Sequence, residues 1–355
     1  MYRILVLNLG STSTKIAYYE NETCKIREDV EHPASEIKKF KDFWQQDEYR
    51  TQRLIDFMDK NSIDIDRLDA IVSRGGHTRP LEGGVYRINQ EMLKEQRSGK
   101  WGRHPCDLGS KIAYRMAKNT RAVALVVDPP VTDEFQPLAR LSGHPLMERR
   151  SSFHALSHKA TAKRYARENN LKYEDLNLLV VHLGGGISVA PHKKGRMIDG
   201  DNGLEGDGGF STNRTGALPV GDLIRLCFSG QYSYDEVIKM VNGNGGLMAY
   251  LGTADCRQIE KEAQSNDKAR LYLDGMIYQT CKQIGAMSSV LCGRVDQILI
   301  TGGIAHSQTI IAKIKERVGF IAPITVYPGE NEMESLAMGA IEGLDKEGVI
   351  REFVL

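Results

Sequence analysis

Two turns built from small residues carry the first chemistry legible in the sequence. One is Asn8-Leu9-Gly10-Ser11-Thr12-Ser13, followed by Lys15; the other is His182-Leu183-Gly184-Gly185-Gly186. Each follows an apolar run and precedes a second run of alternating character, so each is expected to be the tip of a strand, turn, strand unit. Such a tip presents backbone N–H groups, and with no Cβ in the way those groups can reach phosphate oxygens. Asn8, Ser11, Ser13 and Lys15 add amide, hydroxyl and ammonium groups to the first turn, whereas Gly184, Gly185 and Gly186 leave the second with backbone donors. Strand alternation fixes the direction of Lys15 least. The segments RILVLNLGSTSTKIAYY at 3–19 and NLLVVHLGGGISVAPH at 177–192 align through these turns and through the next ones, near Asn21-Glu22-Thr23 and Lys193-Lys194-Gly195, without a gap. A duplicated unit is implied, and two such tips facing one cleft would grip a polyphosphate. A third glycine turn, TGGIAHS at 301–307, ends the apolar run VDQILI and precedes a helix, the geometry in which helix N-termini and glycine backbone approach a nucleotide.

These turns constrain the elements that hold them. The fingerprint GxGxxG should open a helix, but the glycines at 184–186 lead into an alternating strand, and GxxxxGK[ST] is absent, so dinucleotide-binding and P-loop arrangements lose ground. The remaining solution is α/β: a duplicated actin-like (ribonuclease H-like) two-lobe fold, each lobe a mixed β-sheet flanked by helices and begun by antiparallel hairpins, with ATP in the cleft between. With 355 residues and 41% hydrophobic composition the chain can fill two such cores. The expected lobes are 1–152, rejoined by a C-terminal helix over 340–355, and 153–339. Periodicity predicts helices over about 35–60, 107–118, 153–169, 267–291, 308–318 and the last part of 327–344, and strands over 68–76, 122–130, 295–300 and 324–327. HTRPLEGGVYRI at 77–88 reads as an extended loop, and the glycine-dense stretch 199–218 as a functional one.

Charge narrows the partners. The 47 Lys+Arg against 46 Asp+Glu leave no basic excess for nucleic acid or an anionic membrane. No apolar run reaches the roughly 18 residues of a membrane span, so a cytoplasmic protein with small-molecule partners is expected. The six cysteines, with no CxxC, are expected to be reduced and structural. His154 and His158 are four apart on a predicted helix, but the HExxH glutamate and a third ligand are missing, which disfavours zinc.

Seven stretches together resemble the acetokinase family: NLGSTSTK at 8–15, SRGG at 73–76, FHALSHK at 153–159, HLGGGIS at 182–188, NRTGALP at 213–219, TGGIAHS at 301–307 and PGENEMESLA at 328–337. Within the family the chain is most similar to the butyrate kinases. The resemblance implies reversible in-line phosphoryl transfer from ATP to butyrate, giving butyryl phosphate and ADP, with Mg2+ as cofactor. A carboxylate nucleophile is already ionised at neutral pH, so the obstacle is repulsion between anions, about 4 kcal/mol at 4 Å for an effective dielectric near 20. By resemblance Arg74 and Arg214 contact the acid and the transferring phosphoryl group, and His154 lies beside that group with His158 in support. Asp128 helps to hold Mg2+ through water and Glu332 is the second acidic partner, with Glu330 and Glu334 close enough in sequence to shift that assignment. His104 and His182 also match site positions, His104 on the substrate side and His182 at the second phosphate turn, and Gly302, Gly303 and Ile304 pass beneath the adenosine. Gly185 departs from acetate kinases, which carry Asn there. A homo-oligomer, at least a dimer, is expected. The competing readings are an acetate, propionate or branched-chain acid kinase of the same family and, from another class, a non-enzymatic actin-like or chaperone-type ATPase.

Overall fold

The computed structural model describes residues 1–204, 206–329 and 331–354; Glu205, Glu330 and Leu355 lie outside the described residues, the second within the expected PGENEMESLA motif and the last within the expected C-terminal helix. The chain divides into two compact units, Met1–Asp133 with Asn331–Leu355, and Glu134–Glu330. These boundaries fall at 133/134 and 330/331, where the sequence suggests 152/153 and 339/340. Among the described residues no helix is long and apolar enough to cross a membrane.

Twelve strands are described. They are β1 (Arg3–Leu9), β2 (Ser13–Glu20), β3 (Thr23–Glu31), β4 (Ala70–Ser73), β5 (Val85–Arg87) and β6 (Val123–Val127). They continue with β7 (Asn177–Leu183), β8 (Ile187–Lys193), β9 (Arg196–Met197), β10 (Gln297–Gly302), β11 (Ile324–Pro328) and β12 (Ile350–Glu352). The first unit holds one sheet in the order β12-β5-β6-β4-β1-β2-β3 and the second a sheet in the order β11-β10-β7-β8-β9. In both, an antiparallel three-strand meander leads, and two further strands add in parallel beside its first strand. The central strands β1 and β7 are buried on both faces after their first residue, which is why each reads as a continuous apolar run rather than an alternating one. Edge strand β3 is largely charged and exposed, which deters pairing with another chain.

Helices cover both faces of each sheet. In the first unit Phe57 of helix Asp47–Lys60 and Leu108 and Ile112 of helix Cys106–Ala117 join Leu5, Leu7, Ile71 and Val126 in one core. Helix Glu332–Asp345 covers the other face, where a Cβ on Gly339 would overlap Val127. In the second unit helices Asp267–Val290 and Gln308–Val318 pack with Val181, Val189 and Ile300, and helix Ala155–Glu168 packs on Leu178, Val180 and Leu299.

The structure departs from the sequence expectations at several elements. The second meander is one residue shorter, because Arg3 pairs with Glu20 but Asn177 with Lys193, so the repeat carries a gap at the glycine turn. The helix expected from 35 to 60 begins at Asp47; Asp42 caps a short 3-10 turn ahead of it by accepting from Trp44 N at 2.9 Å. The 77–88 loop contains β5. The C-terminal segment is not one helix: after Asp345 the chain turns at Gly348, φ +80°, and returns as β12 parallel to β5. Between 220 and 262, four short helices stand where no element was expected: Val220–Cys227, Tyr234–Val241, Gly246–Leu251 and Cys256–Glu262.

Candidate active site

In the first unit the candidate residues gather at the C-terminal ends of β1 and β4. Asn8, 4% exposed, is the penultimate residue of β1, and its Nδ2 donates to Glu332 Oε2 at 2.6 Å. Glu332 opens the helix Glu332–Asp345, and its Oε1 lies 3.7 Å from an Arg74 Nη. Arg74 follows β4 and continues its parallel pairing, N to Leu7 O at 3.2 Å. Amide, guanidinium and carboxylate from three distant sequence positions therefore meet, and Glu332 is the described acidic residue that reaches them. Lys15 pairs directly opposite Asn8, which puts it on the same face of the sheet as Asn8 and settles the direction that alternation left open. Ser13 lies at the other side of the turn, its carbonyl accepting from Gly10 N at 2.9 Å.

His104 reaches the same turn, with Nε2 3.3 Å from Ser11 Oγ. Its Nδ1 accepts from Cys106 N at 3.2 Å, so in the neutral ring the proton is on Nε2 and points at Ser11. Burial, with the nearby His77 and Arg74, lowers its pKa and keeps that ring neutral. Asp107 is the fixed point beneath: fully buried, it accepts from His77 N at 2.7 Å, faces His77 Nδ1 at 2.9 Å and accepts from His104 N at 3.0 Å. Asp107, His77 and Cys106 offer ligand atoms within 4.8 Å of one another. They form a closed network rather than a metal centre, since burial pushes the Cys106 thiol up to about 12 and Asp107 Oδ1 is already engaged by His77.

Asp128 directly follows β6, with φ +39°. A residue before proline is ordinarily extended, so this left-handed backbone is a local strain, held by a reciprocal pair: Asp128 N to Gly84 O at 2.9 Å and Gly84 N to Asp128 Oδ1 at 2.8 Å. Glu332 and Asp128 are hard oxygen donors in one unit, Glu332 partly open to solvent, and two carboxylates are what magnesium takes when it keeps most of its waters. The donor set fits that ion.

In the second unit the candidates gather around the end of β7. His182, near the end of β7, stacks on His154 with ring centroids 3.9 Å apart and planes 13° from parallel. Its Nδ1 lies 3.0 Å from Ser157 Oγ. A Cβ on Gly184 would press on His182 Nε2, and one on Gly186 would overlap Arg214 Nη1. Arg214 Nη1 donates to Gly203 O at 2.6 Å, while its Nε is buried with no hydrogen-bond partner. Burial lowers its pKa. No carboxylate pairs with it among the described residues. Gly302, φ +96°, must be glycine because a Cβ there would overlap the backbone of Leu183, which brings the TGGI turn against the second glycine turn. Gly303 and Ile304 follow in a 3-10 turn, and Gly303 faces open space. Gly185 is exposed at the tip, and the Asn213 amide lies beside it, 3.8 Å from where a Cβ would stand.

Three supports escaped the sequence reading. Arg50, fully buried in helix Asp47–Lys60, donates to Ser13 O at 2.9 Å, Ser11 O at 3.2 Å and Thr14 Oγ1 at 3.1 Å, clamping the first turn from behind. Arg149 donates to Asp199 at 2.9 Å, Asp207 at 2.6 Å and Gly200 O at 2.9 Å, fixing the glycine-dense loop. Ser188, opposite His182 in β8, touches both His154 and His158 at 2.9 Å. Each is an ordinary polar residue whose role depends on partners remote in sequence; only the four-residue spacing of His154 and His158 signalled a shared neighbour.

The family model described as the acetokinase family matches residues 139–334. An acetate kinase from Porphyromonas gingivalis superposes with TM-score 0.79 at 18% identity, covering 97% of this chain and 99% of that one. A propionate kinase from Francisella tularensis subsp. tularensis SCHU S4 gives 0.76 at 18%, with 96% and 99% covered. An acetate kinase from Entamoeba histolytica gives 0.74 at 17%, with 96% and 99% covered. These likenesses show the fold, the duplicated actin-like α/β architecture expected from the repeat.

Proposed function

The chain belongs to the acetokinase family, and from that premise we propose that it is a short-chain fatty acid kinase that transfers the γ-phosphoryl group of ATP to butyrate, reversibly and in line. The observation that carries this reading is Arg214. A buried guanidinium with an unpaired Nε and no carboxylate partner among the described residues is costly to maintain, and it lies against a glycine turn whose backbone donors suit phosphate. An anion arriving there relieves both.

The proposed chemistry forms a bond from a carboxylate oxygen of the acid to the γ-phosphorus and breaks the bond from that phosphorus to the β,γ-bridging oxygen. The bonding pair leaves with ADP, and no proton moves. Arg214 and His154 act on the equatorial oxygens as charge spreads over them, and Arg74 offsets the acid's charge. His104 and Ser11 line the approach in the first unit. Asn8, Ser11, Ser13 and Lys15 serve one set of phosphate oxygens, and His182 with Gly184, Gly185 and Gly186 another, while Gly302, Gly303 and Ile304 take the adenosine. Magnesium, which Glu332 and, through water, Asp128 would hold, neutralises phosphate charge when bound.

Butyrate, rather than a shorter acid, is supported by the sequence resemblance to butyrate kinases. One methylene changes discrimination by about 1–3 kcal/mol, so the acids must be compared directly. The purified chain is incubated with Mg-ATP and, separately, acetate, propionate, butyrate, isobutyrate and valerate, and acyl phosphate is trapped with hydroxylamine. Butyrate is expected to give the highest kcat/KM. Preference for acetate, propionate or isobutyrate reassigns the acid, and no hydroxamate with any of them removes the kinase reading in favour of a non-enzymatic ATPase.

A further inference from the structure

His154 is the outer end of a chain of side chains running into the second unit. Its Nδ1 lies 2.9 Å from Ser188 Oγ, and His158 Nε2 lies 2.9 Å from the same oxygen. The His158 ring stacks on His192, centroids 5.8 Å apart and planes within 15°, and His192 Nδ1 lies 2.7 Å from the Tyr173 hydroxyl. Ser188, His158 and His192 are fully buried, and His158 Nδ1 has no hydrogen-bond partner.

Ser188 Oγ has one proton to give, and its hydrogen-bond partners are these two ring nitrogens; were both rings to donate to it, its own buried O–H would be orphaned, so one ring donates and the other accepts. His158 is neutral, because burial holds its pKa well below the usual value. Two arrangements remain. In one, His154 Nδ1–H donates to Ser188 and Ser188 donates to His158 Nε2, which forces the His158 proton onto Nδ1, a buried donor with nothing to receive it. In the other, His158 Nε2–H donates to Ser188, Ser188 O–H donates to His154 Nδ1, and the unpartnered Nδ1 of His158 is merely a bare lone pair. An orphaned buried N–H is the rarer defect. The second arrangement also leaves His154 protonated on Nε2, able to donate to a phosphoryl oxygen, where the first would turn a lone pair toward it.

We infer that Ser188 and His158 are positioning residues that lock His154 as the Nε2–H tautomer, so that the ring meets the transferring phosphoryl group as a hydrogen-bond donor. The catalytic consequence rests on the kinase reading; the tautomer itself does not.

The full chain, labelled with 15N-histidine, is recorded by long-range 1H–15N correlation without nucleotide, His154 and His158 being assigned from the cross-peaks lost in His154→Asn and His158→Asn. Both rings are expected to show a protonated Nε2 and a bare Nδ1. A proton on Nδ1 of either ring in the wild-type protein overturns the inference, whatever the variants do. In Ser188→Ala, which only removes a hydroxyl, His154 is expected to become a mixture of tautomers, and kcat to fall on the order of tenfold, part of the roughly 10²–10³ for a whole oxyanion donor, with KM for ATP little changed. An unchanged His154 tautomer in that variant equally overturns it. If the tautomers are as inferred and no acid yields hydroxamate, the kinase function falls while the assignment stands.

Discussion

Gly186 and Arg214 act as one feature, because the space a Cβ would need at 186 is already taken by the guanidinium. Gly186→Ala is therefore expected to displace Arg214 without removing it, and to lower kcat toward the value of Arg214→Ala. For the latter, steady-state kinetics should show a fall of at least about 10²-fold, the scale for losing one transition-state donor. A Gly186→Ala enzyme with normal turnover would mean that the guanidinium's position at the turn is immaterial. Arg74 stands differently: it is one-third exposed and already has Glu332 at 3.7 Å. Arg74→Ala should cost a comparable factor in kcat/KM for the acid, with a larger rise in KM for the acid than for ATP. Equal effects on both substrates would place Arg74 with the nucleotide instead.

The first phosphate turn is set by helix Asp47–Lys60 as much as by its own residues, since Arg50 holds the carbonyls of Ser11 and Ser13 from behind. Arg50→Met keeps the apolar stem but removes the donors to these carbonyls and to Thr14 Oγ1, each bond to a charged group worth about 1.5–3 kcal/mol net. Urea unfolding should show a destabilised protein, and KM for ATP should rise more than KM for the acid. Unchanged stability would mean that water or a shifted loop replaces the clamp. The helix's apolar stripe was legible from its spacing, but Arg50 was not, because an arginine in a charged helix reads as solvated until its partners, nearly forty residues earlier in the chain, are known. β5 was missed for a related reason. Three residues in a Gly/Pro-rich stretch have no period of their own, and they form a strand because β6 and β12 offer edges on either side. The glycine turns, by contrast, were visible because their requirement is local: Gly302 needs φ +96° and no Cβ.

Duplication explains why so much of the fold followed from the sequence: the order β6-β4-β1-β2-β3 in one unit is repeated as β11-β10-β7-β8-β9 in the other. The two copies differ at the glycine turns, by one residue in length and by residue type, Ser11 and Ser13 in one against Gly184, Gly185 and Gly186 in the other. The molecule's response to pH comes from groups that no repeat reveals. His158 is held well below its usual pKa and His192 is lowered to about 3, both by burial, whereas burial raises Asp201 to about 8. Each proton of difference between folded and unfolded chains changes stability by about 1.4 kcal/mol per pH unit. For the histidines the folded pKa is depressed, so their contribution is complete above about 6.5 and is lost as pH falls. For Asp201 the folded pKa is raised, so its contribution is complete below about 4 and is lost as pH rises through about 8. Between about pH 4 and 6.5 His192 loses about 1.4 kcal/mol per unit on acidification and Asp201 returns about as much, so the loss at His158 tips the balance and acid destabilises. His32, lowered to about 4 chiefly by burial, adds to that loss. Between about 6.5 and 8 Asp201 acts alone among these groups, and alkali destabilises. Urea unfolding from pH 5 to 9 should therefore give greatest stability near pH 6.5, and Asp201→Asn should flatten the alkaline side and steepen the acid side, where the aspartate no longer offsets the histidines. An alkaline decline of the same slope in Asp201→Asn would mean that Asp201 is ionised in the folded protein at neutral pH, with Gln283 and the Val189 N–H holding the carboxylate.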